Sequence, residues 1–125
     1  LGRYAATLAN AGTSFQLSLI YKIDETETET KVESTVNLPA SVWEEVHTGM
    51  EWYAQSTGTF EGFPIAVAGK TGTAQEVKDR PDHGLFIGYA PADNPEIAVA
   101  VRIVNGYTAK YAAECGREIL ENYFH

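Results

Sequence analysis

Apolar residues recur at helical spacing in three segments of the chain, and each segment predicts one amphipathic helix. The first helix opens the sequence and stops near Gly12, since glycine is a common C-terminal stop. The second runs from Pro39 to about Tyr53, and the third from about Thr108 to Tyr123. Their apolar faces consist of Leu1, Tyr4, Ala5 and Leu8; of Val42, Val46, Gly49, Met50 and Tyr53; and of Ala112, Cys115, Gly116, Ile119, Leu120 and Tyr123.

Two β-like runs, "FQLSLIYKI" and "KVESTVNL", flank the acidic stretch "DETETET" and predict a hairpin. The four carboxylates of that stretch raise the question of a cation site. They lack the glycine turn of a calcium loop, and spaced like charges are typical of a solvated surface. We expect the stretch to be the exposed end of the hairpin.

Three further strand-like runs follow, "IAVAGKTGTAQEV", "HGLFIGYA" and "EIAVAVRIV". The connections between them are too short for a parallel crossover, so we expect antiparallel neighbours. The whole order predicts an α+β fold, an antiparallel three-stranded meander with flanking helices. The last run is apolar nearly throughout, which predicts a strand covered on both faces and paired on both sides. The chain supplies one neighbour for it, and we expect the other to lie outside these residues.

The composition narrows the classes of partner. The chain has 125 residues, enough for one domain or part of a larger one, and its 44% hydrophobic and 21% charged residues are typical of a soluble globular protein. A net charge of −8 argues against nucleic acid and anionic membrane surfaces. No apolar run approaches the ~20 residues of a membrane span, and no signal peptide opens the sequence. Because the chain begins already in helical register, we expect it to be part of a longer one.

Cys115 is the single cysteine, so an internal disulfide and a cysteine-based zinc site are excluded. Its position on the apolar face of the third helix predicts a buried, inert thiol. The cysteine count leaves the cellular compartment open.

The stretch Gly69-Lys70-Thr71-Gly72-Thr73 interrupts a strand and is the main candidate for chemistry. A nucleotide-binding loop would require glycine where Pro64 stands, and a helix where a strand follows, so we reject it. Two interpretations stay open. One is a strand edge that carries a surface lysine.

The other interpretation is one wall of an acyl-transfer site. Lys70 would supply a positive charge, and Thr71 and Thr73 would supply hydroxyls on one strand face. Gly72 would remove the side chain between them, so that an extended peptide could lie along the edge as an added strand.

At this point the chain resembles the penicillin-binding proteins over nearly its whole length. "AGKTGTAQ" is similar to the family's Lys-Thr/Ser-Gly motif, in the form usual for the class B enzymes, the monofunctional transpeptidases. "LANAGT", "VHTGM" and "STGTF" are similar to segments that precede the motif there, and "HGLFIGYAPADNPEIAVAV" to the two strands that follow. Gly84 and Leu85 depart from the His-Ala-Trp-Phe wording of many relatives.

The resemblance implies roles for individual residues. Lys70 and Thr73 would be catalytic: Lys70 sets the potential of the cleft and helps proton movement around the serine, and the backbone N–H of Thr73 is half of the oxyanion hole. Lys70, Thr71, Gly72 and Thr73 would bind substrate, with the two threonine hydroxyls holding the terminal carboxylate of a stem peptide or a β-lactam. No metal and no cofactor are implied. His83 invites a role as a base, but we expect a structural residue at the start of a strand.

Two motifs of the family are absent, because no serine here begins Ser-x-x-Lys or Ser-x-Asn. Both lie upstream in the family, so residues 1–125 are expected to form the C-terminal part of a single transpeptidase domain, inactive by itself. The intact enzyme would cross-link peptidoglycan through a serine acyl-enzyme and bind penicillin. It would serve cell wall biogenesis, with a role in cell shape, division or sporulation. We expect it on the extracytoplasmic side of the bacterial membrane, where an N-terminal anchor would hold it.

Two alternatives stay open at this stage. One is a serine β-lactamase or β-lactam sensor, which shares the fold and the Lys-Thr-Gly strand. The other is a non-catalytic domain that binds cell-wall peptide or division proteins. The expected partners are the peptidoglycan stem peptide, β-lactam antibiotics, the missing N-terminal half of the domain and a second copy of the fragment, with no nucleic acid.

Overall fold

A computed structural model describes residues 1–125 and contains three helices and seven strands. The helices are α1 (Gly2–Ala9), α2 (Ala40–Ser56) and α3 (Ala109–Phe124). The strands are β1 (Thr13–Phe15), β2 (Lys22–Ile23), β3 (Thr26–Glu27), β4 (Val32–Thr35), β5 (Ala68–Ala74), β6 (His83–Ala90) and β7 (Ile97–Ile103). The predicted α+β arrangement of helices around a three-stranded antiparallel meander is confirmed. None of the helices has both the length and the apolar character that crossing a membrane requires.

The first helix ends as expected at a glycine. Asn10 caps α1, and the next two residues, Ala11 and Gly12, adopt left-handed φ angles of 51° and 105°. The amide of Gly12 donates back to the carbonyl of Thr7, which satisfies a backbone group that the helix end would otherwise leave unpaired.

The segment between α1 and α2 forms a narrow antiparallel arm. β1 pairs with β4, with Thr13 opposite Thr35, and farther out β2 pairs with β3 around an exposed turn at Asp24. The solvated hairpin end is therefore confirmed. The run "FQLSLIYKI" is not one continuous strand, however, because the hydroxyl of Ser18 bonds both the amide and the carbonyl of Ile20 and replaces the ladder there.

The three-stranded sheet has the order β5–β6–β7, with both pairings antiparallel. β7 pairs with β6 alone, so the expectation that this chain supplies one neighbour for it is confirmed. The cover expected on both faces is not completed by these residues. Val99 is buried, but Ala100 and Arg102 are exposed, because no described element lies over that part of the strand.

Helix α3 packs on one face of the sheet through its small residues. Ala112, Ala113, Gly116 and Leu120 are buried, and the ring of Phe86 lies between the helix and the sheet. The expectation of a buried thiol at Cys115 is wrong, since Cys115 is exposed. The buried stripe of α3 is centred toward Ala113, which turns Cys115, with Ile119 and Tyr123, to the flank.

A second cluster lies on the other side of the sheet. Met50, Ala68 and Tyr89 form its buried part, and the end of α1 packs against it. Helix α2 contributes Met50 to this cluster and Ala54 to the cluster beneath α3, so it joins the two apolar layers. Val42 of α2, expected on the apolar face, is partly exposed. The helix packs against β5, which brings its C-terminal turns next to the candidate site.

Candidate functional site

The five residues Gly69 to Thr73 lie on β5, at the edge of the three-stranded sheet. Lys70 pairs in register with Ile87, Thr71 with Phe86 and Gly72 with Leu85. The structure thus brings all of the sequence-predicted site residues together on one edge strand.

The backbone of β5 points alternate amide groups, those of Thr71 and Thr73 among them, away from the rest of the sheet. The carbonyl oxygen of Ala68 lies 2.9 Å from the position that a Cβ on Gly88 would occupy. The backbone N–H and C=O groups of Ala68 therefore face β6. Alternate residues of an antiparallel strand direct their amide groups to opposite edges. The backbone N–H and C=O groups of Thr71 and Thr73 therefore face the open edge. The Thr71 carbonyl accepts a hydrogen bond there from Lys70 Nζ at 2.9 Å. This places the N–H of Thr73 where an incoming carbonyl oxygen can reach it.

The ammonium group of Lys70 is exposed but not free. Its Nζ lies 4.2 Å from the ring centroid of Tyr53, within the range of a cation–π contact. The ring and the Thr71 carbonyl together hold the lysine side chain close to the strand edge. A positive charge is therefore fixed beside the two outward-facing backbone amides.

Tyr53 also contacts the neighbouring hydroxyl, because its Oη lies within hydrogen-bonding distance of Thr71 Oγ1. The tyrosine belongs to α2, 18 residues before Thr71. Sequence reasoning placed it only on the apolar face of a helix and missed this contact. The one available signal was that a tyrosine there carries a polar group, which needs a partner when the ring is covered.

The two glycines of the stretch differ in what requires them. A Cβ on Gly69 would come within 2.7 Å of the buried ring of Phe86, so internal packing excludes a side chain there. A Cβ on Gly72 would meet Leu85 at 3.6 Å, which is ordinary van der Waals contact. The packing of this chain does not account for glycine at position 72, and close approach of a ligand to the strand is a further reason for glycine there.

His83 starts β6, opposite Ala74 at the end of β5, and is buried. Its Nδ1 accepts the backbone N–H of Asn105 at 3.0 Å, and its Nε2 lies 2.8 Å from Glu76 Oε2. Because Nδ1 is an acceptor, the ring proton is on Nε2 and is donated to the carboxylate. Both nitrogens are engaged in holding strand ends, which supports the structural role expected for His83.

Tyr89 lies behind the strand in the second cluster, and its buried hydroxyl has no hydrogen-bond partner. The ring packs edge-on against His47, with 5.9 Å between the ring centroids. Burial raises the pKa of Tyr89 to about 12, and the nearby negative charge of Glu51 adds to the shift.

The surface around β5 offers only a small apolar depression. It has a volume of about 170 Å³ and is lined by Leu1, Leu85 and Ile87 beside Lys70, Thr71 and Gly72. Larger clefts of about 430 and 590 Å³ lie around Phe60 and around Trp43, away from the lysine. The site is therefore an open strand edge, and a deep cleft would need a second wall.

The comparison with protein families gives a match over nearly the whole chain. The family described as penicillin binding protein transpeptidase domain matches residues 1–121.

Individual proteins give a consistent result. The chain is 30% identical to penicillin-binding protein 2A of Bacillus subtilis, over 99% of this chain and 21% of that protein. It is 31% identical to the peptidoglycan D,D-transpeptidase PbpA of Mycobacterium tuberculosis, over 94% of this chain and 27% of that protein.

Among solved structures, penicillin-binding protein A from M. tuberculosis, determined as an imipenem acyl-enzyme complex, superposes with a TM-score of 0.85 at 27% identity. The alignment covers 99% of this chain and 30% of that one. The chain therefore shares this fold and spans between a fifth and a third of the length of these proteins.

Proposed function

The chain belongs to the penicillin-binding protein transpeptidase family, and on that premise we propose that β5 forms one wall of a serine-type D-Ala-D-Ala transpeptidase site. The observation that carries the proposal is the open edge of β5, where the backbone N–H groups of Thr71 and Thr73 face outward beside the Lys70 ammonium, and where the packing of this chain does not account for Gly72. The substrate would be a peptidoglycan stem peptide, and a β-lactam would compete for the same edge.

Each residue of the strand has a distinct task in acyl transfer. The hydroxyls of Thr71 and Thr73 hold the terminal carboxylate of the donor peptide, and the Lys70 charge attracts it. The N–H of Thr73 donates to the oxygen of the scissile carbonyl as negative charge develops there. Gly72 leaves the backbone accessible, so the donor peptide lies against β5 as an added strand.

The reaction proceeds through two acyl transfers. A serine hydroxyl attacks the carbonyl between the two D-alanines, a bond forms from serine oxygen to carbon, and the terminal D-alanine leaves with a proton on its amine. The amine of a second stem peptide then displaces the serine and forms the cross-link. Lys70 assists the proton movements around the serine through its charge.

We propose that the nucleophile and the Ser-x-Asn group come from residues of the same domain outside this sequence. Support comes from the sequence, which has neither motif, and from the free edge of β7, which has room for a further strand. The assembled domain would act outside the bacterial cytoplasmic membrane, where peptidoglycan is built, with a membrane anchor elsewhere in the protein. Its cellular role would be in cell wall biogenesis.

The proposal is tested by acylation of the full-length protein with a fluorescent penicillin. We expect Lys70→Ala to lower the second-order acylation rate by about 100-fold, the scale of losing one transition-state electrostatic group. The matched control is Lys78→Ala, since Lys78 is exposed in the connection after β5 and should leave the rate unchanged. Equal rates for Lys70→Ala and the parent protein would return the strand to a structural role.

A second measurement tests whether the nucleophile lies outside residues 1–125. Residues 1–125 alone should show no covalent label after denaturation, because they lack a Ser-x-x-Lys nucleophile. A label on this chain that unlabelled penicillin competes away would contradict the proposal. In the full-length protein, slow release of the bound drug would favour the transpeptidase over the β-lactamase alternative.

A further inference from the structure

Tyr53 makes contact with two of the proposed site residues at once, and no motif of the strand includes it. We propose that Tyr53 is a positioning residue for the strand: its hydroxyl orients the hydroxyl of Thr71, and its ring holds the ammonium of Lys70. This inference rests on the proposed function of β5.

The hydroxyl contact orients the Thr71 proton when Tyr53 is the donor. A threonine hydroxyl has one proton to donate and two lone pairs that accept. A carboxylate can only accept, so Thr71 binds it only by donating its own proton. When Tyr53 donates to Thr71 Oγ1, it occupies a lone pair and leaves that proton free for the carboxylate. Without Tyr53, the Thr71 hydroxyl can rotate away from the substrate.

The ring contact restricts the lysine. Lys70 has a long flexible side chain, and its head group is exposed. One of its three N–H groups donates to the Thr71 carbonyl, and the Tyr53 ring lies 4.2 Å from Nζ. These two contacts keep the charge beside the strand edge and leave the other N–H groups available to substrate or to a serine hydroxyl.

The position of Tyr53 is itself well defined. Met50, three residues earlier, and Ala54, the next residue, are buried in the two different apolar clusters. A helix anchored on both sides of the tyrosine has little freedom to rotate about its axis. The tyrosine is therefore a rigid support for two side chains that would otherwise be mobile.

The test uses acylation rates of the full-length protein with a fluorescent penicillin. Tyr53→Phe removes the hydroxyl and keeps the ring, and we expect about a five-fold loss, the scale of one hydrogen bond. Tyr53→Leu also removes the ring, and we expect a further loss of about three-fold, the scale of an exposed cation–π contact. Trp52→Leu is the matched control, because Trp52 is on the same helix but exposed, and its rate should stay within about two-fold.

A double-mutant cycle separates positioning from general support of the fold. In a Thr71→Ala background the hydroxyl of Tyr53 has no partner, so adding Tyr53→Phe should change the rate less than two-fold. In a Thr71→Ser background, which restores a hydroxyl, the five-fold loss should return. Thermal unfolding of Tyr53→Phe should match that of the parent, since only a partly exposed contact is lost.

The outcomes distinguish this inference from the proposed function. If Lys70→Ala lowers the acylation rate by about 100-fold while Tyr53→Phe and Tyr53→Leu leave it unchanged, the strand is the site and the positioning role is wrong. Equal losses from Tyr53→Phe in the Thr71→Ala and parent backgrounds would also overturn it. If Lys70→Ala has no effect, the proposed function itself fails.

Discussion

The ring of Phe86 lies so close to Gly116 that α3 has no room for a side chain at that position. A Cβ on Gly116 would come within 2.5 Å of two ring atoms. The ring cannot move away, because Gly69 and Gly88 contact it from the sheet at distances that exclude a Cβ there as well. The contact therefore fixes how closely α3 approaches the strand next to β5.

Gly116→Ala should destabilise the protein. Overpacking a filled core costs about 1–3 kcal/mol, and the gain in helix propensity offsets about 1 kcal/mol. We expect a net loss of up to about 2 kcal/mol in the free energy of unfolding, measured by urea titration. Gly49→Ala is the matched control. Gly49 also lies inside a helix, but nothing is within 4 Å of its Cβ position, so its substitution should stabilise by about 0.5–1 kcal/mol. Equal effects of the two substitutions would contradict this account.

Gly72→Ala should separate activity from stability. Its Cβ would meet Leu85 at 3.6 Å, so we expect an unfolding free energy within about 0.5 kcal/mol of the parent. The added methyl group would lie on the sheet face that Leu85 shares, next to the edge where we place the substrate, and acylation of the full-length protein should fall by at least about ten-fold. Gly69→Ala should instead lower the free energy of unfolding, because its Cβ would come within 2.7 Å of the ring of Phe86. An unchanged acylation rate for Gly72→Ala would argue that no substrate lies against this strand.

Tyr89 should make the protein sensitive to alkali. Its folded pKa of about 12 lies above the ordinary value of 10.0, so the unfolded chain loses this proton first as the pH rises. The contribution of Tyr89 to stability is complete below pH 10 and is lost between about pH 10 and 12. Tyr89→Phe should reduce the fall in unfolding free energy over this range, and it should stabilise at neutral pH by about 1 kcal/mol, because it removes an unpaired buried hydroxyl. Identical alkaline profiles would show that the hydroxyl ionises freely in the folded protein.

The isolated chain should self-associate. β7 has one free edge, Ala100 and Arg102 are exposed beside it, and large apolar side chains such as Leu19 of the arm are fully exposed. An unpaired edge next to uncovered apolar surface favours pairing between copies. Light scattering at micromolar concentration should give a mass above that of the 13.6 kDa monomer. A monomer with a cooperative thermal transition would show that these residues close their own core.

The elements with a strong local pattern could be predicted from sequence. β6 begins at His83 and ends at Ala90 as expected, because the residues after His83 have no charged side chain and Pro91 follows the strand. Thr108 caps α3 by accepting the amide of Lys110, which fixes the start of that helix. The local pattern was also sufficient to predict that one strand carries Lys70, Thr71, Gly72 and Thr73.

The failures arose where packing between elements decides the outcome. Cys115 was expected inside because helical spacing defines a face only to within a residue or two, and contact with the sheet selected the Ala113 side. The contact of Tyr53 with Thr71 joins a helix to a strand, and no periodicity along the chain encodes it. The roles of the site residues remain predictions, because they depend on a substrate and on groups outside these residues.

Helix α2 reaches both apolar layers, with Met50 on one side of the sheet and Ala54 on the other, and carries Tyr53 between them. A substitution in either layer that tilts this helix would shift the Tyr53 ring that contacts Lys70, without altering any residue of the strand. If β5 has the role proposed for it, such core positions would change the rate of acylation without touching the substrate.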